Sequence, residues 1–165
     1  MNRLDRMIAR LQTQRACLNA AARLIGGAPG VVLEIGLGKG RTYDFLRETM
    51  PDREIFAFDR EVHAPDDVMP DAAHMFLGEF AETLPAAARQ LGQSAVLAHA
   101  DFGTEEAEKD KPTAVLLADL LPPLLRANAV VLSDRDLPMA AGRLLSLPDD
   151  AVWPYFMYRI SAADS

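Results

Sequence analysis

The stretch VVLEIGLGKGR, residues 31–41, decides the fold of this chain. It opens with a short, mostly apolar run, which is typical of a strand buried on both faces. Glycines follow at Gly36, Gly38 and Gly40, and a helical pattern begins near Thr42. Glycines in a strand-to-helix turn allow positive φ angles and the close approach of a ligand. The free N–H groups at the helix start can bind a carboxylate or a phosphate, so the stretch predicts a ligand-binding turn.

Apolar runs alternate with helical patterns over the rest of the chain. The predicted strands are residues 30–35, 55–58, 73–77, 95–100 and 129–132, with a last candidate at 152–160. The predicted helices are residues 42–50, 84–91, 113–121 and 138–147, each bounded by proline or glycine. Asp136 is the expected N-terminal cap of the last of them. This alternation predicts an α/β fold, a Rossmann-like doubly wound and mostly parallel sheet of about six strands, truncated at its C-terminal edge.

The segment before the turn predicts an additional helix over residues 2–25. Its expected apolar stripe consists of Leu4, Ile8, Leu11, Leu18, Ala22 and Ile25. Five arginines against one acid give this segment a net charge of +4, while residues 26–165 carry −11. We expect either a helix packed by its stripe with a solvated arginine face, or a lid or oligomer contact docked on the acidic body or a second subunit.

Length and composition exclude several classes of protein. The chain has 165 residues, which fits a single domain with the N-terminal helix in residues 1–26 and an α/β body in residues 30–165. A net charge of −7 disfavours nucleic acids and anionic membrane surfaces as partners. No apolar run is long enough to span a membrane and the start lacks a secretory signal, so we expect a cytoplasmic protein. The three histidines and the single Cys17 have no zinc spacing, so we predict no metal site and a packed, unreactive thiol.

Acidic residues lie near or just after the carboxyl end of each of the first five predicted strands. They are Glu34, Asp59, Glu79, Asp101 and Asp134. The carboxyl ends of parallel strands meet at one edge of the sheet, where ligands bind. Five carboxylates are therefore expected along one rim, which favours a ligand that is cationic, rich in hydroxyl groups, or both.

The spacing of the glycines limits which class of nucleotide the turn could bind. A dinucleotide fingerprint needs its third glycine at position 41, where Arg41 stands, which counts against NAD and FAD. Lys39 is followed by Gly40 rather than by serine or threonine, so a phosphate-binding P-loop is excluded. Asp59 lies about 20 residues beyond the turn, where a carboxylate accepts hydrogen bonds from ribose hydroxyls.

Together with FAFDR (residues 56–60) and FLGEF (residues 76–80), the turn resembles class I S-adenosylmethionine-dependent methyltransferases, and the length and order resemble a small bacterial group within that class. The resemblance covers residues 30–135. It implies S-adenosyl-L-methionine as cofactor and methyl transfer to a small-molecule acceptor. Two alternatives stay open: a non-catalytic module that binds S-adenosylmethionine or S-adenosylhomocysteine, and another nucleotide-dependent enzyme, such as a reductase, on the same fold.

The resemblance also implies roles for individual residues. The three glycines would carry the methionine part of the cofactor along the backbone, with Glu34 near its amino end and Arg41 and Thr42 at its carboxylate. Asp59 would hold the ribose, with Arg60 near the adenine. The adenine segment would be Gly78, Glu79 and Phe80, and the methyl group would face its acceptor at Asp101.

The sequence says less about the catalytic residues and the oligomeric state than about the cofactor site. Asp101 is our first candidate for a general base, with His99, Asp134 and Tyr43 as weaker candidates, and His63 and His74 are expected at the surface. The aromatics of the last strand are Trp153, Tyr155, Phe156 and Tyr158. They predict either a core-filling edge strand or a subunit interface, so a homo-oligomer could form through this strand or the N-terminal helix.

Overall fold

The computed structural model describes residues 1–162. Four helices are present in this range: α1 (Arg3–Ile25), α2 (Arg41–Thr49), α3 (Phe80–Leu91) and α4 (Ala107–Leu120). The strands are β1 (Val31–Ile35), β2 (Ile55–Asp59), β3 (Met75–Leu77), β4 (Ala95–Ala100), β5 (Leu125–Ser133), β6 (Gly142–Leu144) and β7 (Phe156–Ile160). The end of the predicted body, residues 163–165, lies outside the described residues.

All seven strands form one sheet with the order β3-β2-β1-β4-β5-β7-β6. Strands β1 to β5 pair in parallel, and β7 is antiparallel to both β5 and β6. The predicted α/β, Rossmann-like, mostly parallel fold is thereby confirmed. Because β1 lies between β2 and β4, the order of strands reverses there, and a ligand is expected outside the carboxyl ends of β1 and β4.

A hydrophobic core covers each face of the sheet. On one face, α3 and α4 pack residues such as Leu84 and Leu117 against the strands. On the other face, α1 and α2 contribute Leu18 and Leu46. The strands are apolar on both sides because both sides are covered, as β4 shows with six buried residues in succession. Cys17 is fully buried in this second core, and burial raises the pKa of its thiol to about 11, as expected of a packed thiol.

The C-terminal edge of the sheet differs from the prediction. Residues 138–147 form no helix; instead β6 pairs with β7, and the sheet has seven strands rather than six. Gly142 disfavours a helix by about 1 kcal/mol relative to alanine. Asp136, the expected helix cap, accepts a hydrogen bond from the Tyr158 hydroxyl instead. The sheet is therefore completed by an antiparallel hairpin and is not truncated.

The same hairpin changes the interpretation of the C-terminal aromatics. Strand β7 lies between β5 and β6, so it is not an edge strand. Tyr155 and Tyr158 are each 4% exposed, because they pack inside this chain. The predicted edge strand is therefore wrong, whereas an oligomer contact through this segment stays a prediction.

Helix α1 packs with a different face from the one predicted. Leu18 and Ile25 are buried as expected, but Leu4, Ile8 and Leu11 are 68%, 44% and 38% exposed. The buried positions are Ala9, Thr13, Gln14, Ala16, Cys17, Leu18, Ala21 and Ile25. Small residues let the helix approach the sheet closely, and polar Thr13 and Gln14 are buried because they make hydrogen bonds.

Two helices also begin earlier than predicted. Helices α3 and α4 start at Phe80 and Ala107, and each continues through an internal proline, Pro85 or Pro112. No helix among residues 1–162 is both long and apolar enough to cross a membrane.

Candidate active site

The glycine turn between β1 and α2 has the backbone conformation that its sequence predicts. Gly36, Gly38 and Gly40 have φ angles of 90°, 52° and 79°, which side chains rarely adopt. A Cβ atom on Gly36 would lie 2.2 Å from the carbonyl oxygen of Asp101, because the turn passes directly beside the end of β4. At Gly38 nothing lies within 4 Å of such an atom, so the turn is open there.

Asp59 at the end of β2 connects the turn to the neighbouring strand. Its Oδ2 accepts a hydrogen bond from the Gly38 N–H at 2.9 Å, and its Oδ1 accepts one from the Arg60 N–H at 2.7 Å. The backbone N–H of Gly78 donates to the Asp59 carbonyl at 2.9 Å, which aligns the end of β3. A carboxylate is therefore fixed at the rim beside the glycine turn.

A cavity of about 700 Å³ opens at this edge of the sheet. Nine of the twelve predicted cofactor residues line it: Gly36, Gly38, Arg41, Thr42, Asp59, Arg60, Glu79, Phe80 and Asp101. Its volume is in the usual range for a small-molecule site, and its position is the point where the order of strands reverses. The remaining three residues, Glu34, Gly40 and Gly78, are not part of its wall. Gly40 caps α2, and Gly78 ends β3.

Helix α1 supplies a wall that the sequence did not assign to the site. Met7, Arg10, Leu11 and Gln14 line the cavity opposite the glycine turn. The spacing of these residues, three or four apart, puts them on one face of the helix. A lid docked on the acidic body was one of the two expectations for this helix, but the sequence did not show which of its residues would face the cavity.

Glu34 lies behind the cavity and not at its rim. The side chain is fully buried. It accepts a hydrogen bond from the Thr42 hydroxyl at 2.8 Å, and its two oxygens lie 2.9 and 3.1 Å from Nδ1 of His99. The Glu34 carboxylate is therefore engaged by Thr42 and His99 within the chain, and its expected place near the cofactor's amino group stays a prediction.

His99 continues this buried polar network. Its Nε2 lies 2.5 Å from the Tyr155 hydroxyl. Burial lowers the pKa of His99, but the Glu34 carboxylate and the charges of Asp101 and Asp134 raise it overall. The pKa of Tyr155 is raised, mainly by burial. Because Glu34 and His99 face each other in the register of β1 and β4, two polar residues inside apolar runs were the signal for this network.

Asp101 and Asp134 form a pair of neighbouring carboxyl groups, one directly after β4 and the other directly after β5. Asp101 accepts hydrogen bonds from Arg10 at 3.1 Å and from Gln14 at 3.0 Å. Burial raises its pKa, but His99, Gln14 and Arg10 lower it overall, so Asp101 is ionised. Burial and the Asp101 charge raise the pKa of Asp134 from 3.8 to about 6. Asp134 therefore keeps its proton to a higher pH than an ordinary aspartate, while Asp101 stays charged.

The other predicted side chains lie away from the cavity wall. Tyr43 is buried in the core, 7% exposed. His63 is exposed beside Glu61. His74 is bonded to Asp71 and Glu54, and its ring lies 4.8 Å from that of Phe56. Of the five acids expected along one rim, the structure brings Asp59, Glu79 and Asp101 to this cavity.

A family model for S-adenosyl-L-methionine methyltransferases matches residues 1–160 of the chain. The chain belongs to this family. It is an S-adenosyl-L-methionine-dependent methyltransferase, as the resemblance of its glycine turn implied. The match includes α1 as well as the α/β body, so the helix that walls the cavity is part of the family's pattern.

Solved structures agree with this assignment. The methyltransferase is 39% identical to an S-adenosyl-L-methionine methyl transferase from Silicibacter pomeroyi DSS-3, with a TM-score of 0.92 over 98% of this chain and 99% of that chain. It also has the fold of the antibiotic-resistance methyltransferase Kmr (16% identity, TM-score 0.53, 90% of this chain and 93% of that chain). The plantazolicin methyltransferase BpumL in complex with SAH is 12% identical, with a TM-score of 0.51 over 76% of this chain and 46% of that chain. A search of curated proteins finds no match.

The residues around the cavity of the methyltransferase fit its cofactor chemically. S-adenosyl-L-methionine has a cationic sulfonium, an ammonium, a carboxylate and two ribose hydroxyls. The wall offers carboxylates at Asp59 and Asp101, and a basic side chain at Arg41 beside the helix start. The turn is open at Gly38, where a ligand can approach the backbone.

Proposed function

We propose that this methyltransferase transfers the methyl group of S-adenosyl-L-methionine to a small-molecule acceptor in the 700 Å³ cavity. The observation that carries the proposal is the convergence of the glycine turn, Asp59 and Asp101 on one cavity at the reversal point of the sheet. The acidity of the chain supports a small acceptor over a nucleic acid, because nucleic-acid binding requires a basic surface.

The two halves of the cofactor would be held by opposite parts of the cavity. Gly36 and Gly38 carry the methionine part along the backbone, and Arg41 and Thr42 hold its carboxylate at the start of α2. Asp59 accepts hydrogen bonds from the ribose hydroxyls. On the nucleoside side, Arg60 and Glu79, which form an ion pair at 3.5 Å, and the Phe80 ring face the adenine.

Methyl transfer requires the protein to orient the acceptor more than to activate it. When bound, S-adenosyl-L-methionine supplies an electrophilic methyl group whose C–S bond breaks as the acceptor attacks, with the electron pair remaining on sulfur. The protein holds the acceptor in line with that bond, and good positioning contributes about 7–11 kcal/mol. Asp101 is ionised and lines the cavity, so it can accept the acceptor's proton, and the adjacent Asp134 shares that proton as a pair.

Asp59→Asn tests the cofactor site directly. A charge-assisted hydrogen bond contributes about 1.5–3 kcal/mol, so the substitution is expected to weaken S-adenosylhomocysteine binding at least tenfold in titration calorimetry. Asp52→Asn, an exposed acid outside the cavity, is the matched control. Equal affinities for the wild type and Asp59→Asn would remove Asp59 from the site.

Transfer itself is measured with S-adenosyl-L-methionine labelled in its methyl group and a panel of small acceptors. Labelled product that requires the wild-type protein supports the proposed reaction. Binding of S-adenosylhomocysteine with no transfer to any acceptor would instead favour a non-catalytic binding module.

A further inference from the structure

A second cavity lies beside the first. Its volume is about 670 Å³. Met7, Arg10, Gly103 and Thr104 line both cavities, so the two share a boundary formed by α1 and the loop after β4. The remaining wall comes from the start of α1, the loop after β5 and the segment before β7.

The second cavity is basic although the chain as a whole is acidic. Its wall contains the four arginines Arg3, Arg6, Arg10 and Arg135, against the two acids Glu105 and Asp134. The net charge of the chain is −7, so the basic character of this wall opposes the overall balance. The arginines of α1 are concentrated where a ligand can enter, beside the proposed position of the reactive methyl group.

Two of these arginines are already engaged with other protein groups. Arg135 donates from Nε to Asp110 at 2.7 Å and from its terminal nitrogens to the carbonyls of Asp134 and Thr104. Arg10 pairs with Asp101 at 3.1 Å. Among residues 1–162, Arg3 and Arg6 form no ion pair, and both side chains are exposed at the mouth of the cavity. Their guanidinium groups therefore offer donors for an anion from outside the chain.

The wall also has a flat apolar part. Trp153 is half-buried in it, and Met7 lies on the boundary with the first cavity. Thr13 fixes this part, because its hydroxyl oxygen accepts hydrogen bonds from the N–H groups of Val152 and Trp153, each at 2.9 Å. The backbone that carries the Trp153 indole is therefore held in place, and an indole in a cavity wall provides a stacking surface for a planar group.

The geometry points to an acceptor that is a small organic anion, with a carboxylate or phosphate bound by Arg3 and Arg6 and an apolar, planar body against Trp153. This inference rests on the proposed methyl transfer and names the chemical class of its acceptor. An acceptor held in this way would extend from the exposed arginines of the second cavity, across the shared boundary, toward Asp101 in the wall of the first cavity. Its nucleophilic atom would then face the first cavity.

Trp153 is the single tryptophan of the chain, so its fluorescence reports on this cavity alone. The probes are pairs matched in shape: benzoate with benzamide, and phenylacetate with phenylacetamide. Phenyl phosphate is added to separate phosphate from carboxylate recognition. Each probe is titrated with and without saturating S-adenosylhomocysteine, whose own affinity is measured first by calorimetry.

We expect at least one anion to bind tenfold or more tightly than its neutral partner. Arg3→Gln/Arg6→Gln is expected to remove that preference, because both unpaired guanidinium groups are lost. Arg15→Gln/Arg23→Gln is the matched control, since it removes the same two charges from exposed positions of α1 outside both cavities. The preference should also decrease with ionic strength.

The outcomes separate this inference from the proposed function. Failure of S-adenosylhomocysteine to bind overturns the proposed cofactor site, whereas anion recognition is still measured without it. Cofactor binding together with equal affinity for anions and amides, or with no binding of any anion, overturns the inference alone. A preference that survives in Arg3→Gln/Arg6→Gln also overturns it, because the anion would then be bound elsewhere.

Discussion

At the residue scale, Asp101 and Asp134 show how neighbouring carboxyl groups acquire different charges. Asp101 is bonded to Arg10 and Gln14 and stays ionised. Asp134 accepts from the backbone N–H groups of Phe102 and Gly103 but lies beside the Asp101 charge in a buried position. Asp134 therefore releases its proton at about pH 6, closer than an ordinary aspartate to the pH at which a proton-exchanging group works best.

The raised pKa of Asp134 predicts a pH dependence of stability. The folded protein holds this proton up to about pH 6, whereas the unfolded chain releases it near 3.8. Stability is therefore expected to decrease as the pH rises from about 4 to 6, by at most roughly 3 kcal/mol. Asp134→Asn should remove this decrease, so the stability of the variant relative to wild type is expected to be higher at pH 7.5 than at pH 4.5.

Urea unfolding at pH 4.5 and at pH 7.5 measures this effect. Asp149→Asn, an exposed aspartate, is the control and should follow the wild type at both values. Parallel pH profiles for Asp134→Asn and wild type would show that Asp134 is not the group responsible.

Gly36 is the residue whose replacement the fold tolerates least in the turn. A Cβ atom there would lie 2.2 Å from the Asp101 carbonyl oxygen, and the φ angle is 90°. Gly36→Ala is expected to lose at least about 2 kcal/mol of stability, because either the turn or the end of β4 must move. Gly27→Ala, with nothing within 4 Å, should be nearly neutral. Thermal unfolding of both variants tests the prediction, and similar melting temperatures would contradict it.

At the scale of elements, strands β1 and β4 are joined by a buried ion pair as well as by backbone hydrogen bonds. Glu34 and His99 are both fully buried and face each other in register. Removing one partner of such a pair costs about 3–5 kcal/mol, because the other charge is left unpaired. Glu34→Gln and His99→Gln are each expected to destabilise the protein, and the double variant should lose less than the sum of the two.

The pH dependence of this pair has a definite sign. The pKa of His99 is raised overall, so its contribution to stability is complete below about pH 6.5 and is lost as the pH rises through the folded-state pKa. Glu34→Gln should remove that loss. Additive effects in the double-mutant cycle, measured by urea unfolding at pH 6, would contradict a direct coupling between the two side chains.

Elements with strong local patterns could be predicted from the sequence. The turn after β1, the carboxylate at the end of β2 and the uniformly apolar β4 have signals within a few residues. By contrast, Leu4, Ile8 and Leu11 have helical spacing, but spacing alone does not determine which face of α1 packs against the sheet. Residues 138–147 were assigned to a helix because proline and aspartate boundaries are local, whereas the pairing of β6 with β7 depends on distant residues.

In the candidate site, too, residues with a local signal could be predicted and residues that depend on distant contacts could not. The residues of the turn and of the strand ends were predicted, because the carboxyl ends of parallel strands meet at one edge. Arg10 and Gln14 of α1 were missed, since they reach Asp101 across about 90 residues of sequence. Glu34 was assigned to the rim because the order of residues along β1 does not show that His99 is buried opposite it.

At the scale of the whole molecule, α1 lines both cavities and is hydrogen-bonded to the segment before β7. Its basic residues oppose an acidic body, and one face of the helix lines both cavities. Self-association through its exposed Leu4 and Ile8 stays a prediction, which light scattering can test. The position of α1 therefore determines the shape of the site. The contacts that hold α1 against the rest of the chain also keep the walls of both cavities in place.

Thr13 is the residue that fixes α1 to the C-terminal segment. It is fully buried, and its hydroxyl oxygen accepts both the Val152 and the Trp153 N–H. Thr13→Val keeps the volume but removes the acceptor of two part-buried N–H groups, which is expected to cost about 1–3 kcal/mol in total. Thr13→Ser retains the acceptor and should stay close to wild type. Urea unfolding gives the loss of stability, and Trp153 emission reports the local change. If Val and Ser at position 13 behave alike in both measurements, these hydrogen bonds do not hold α1 in place.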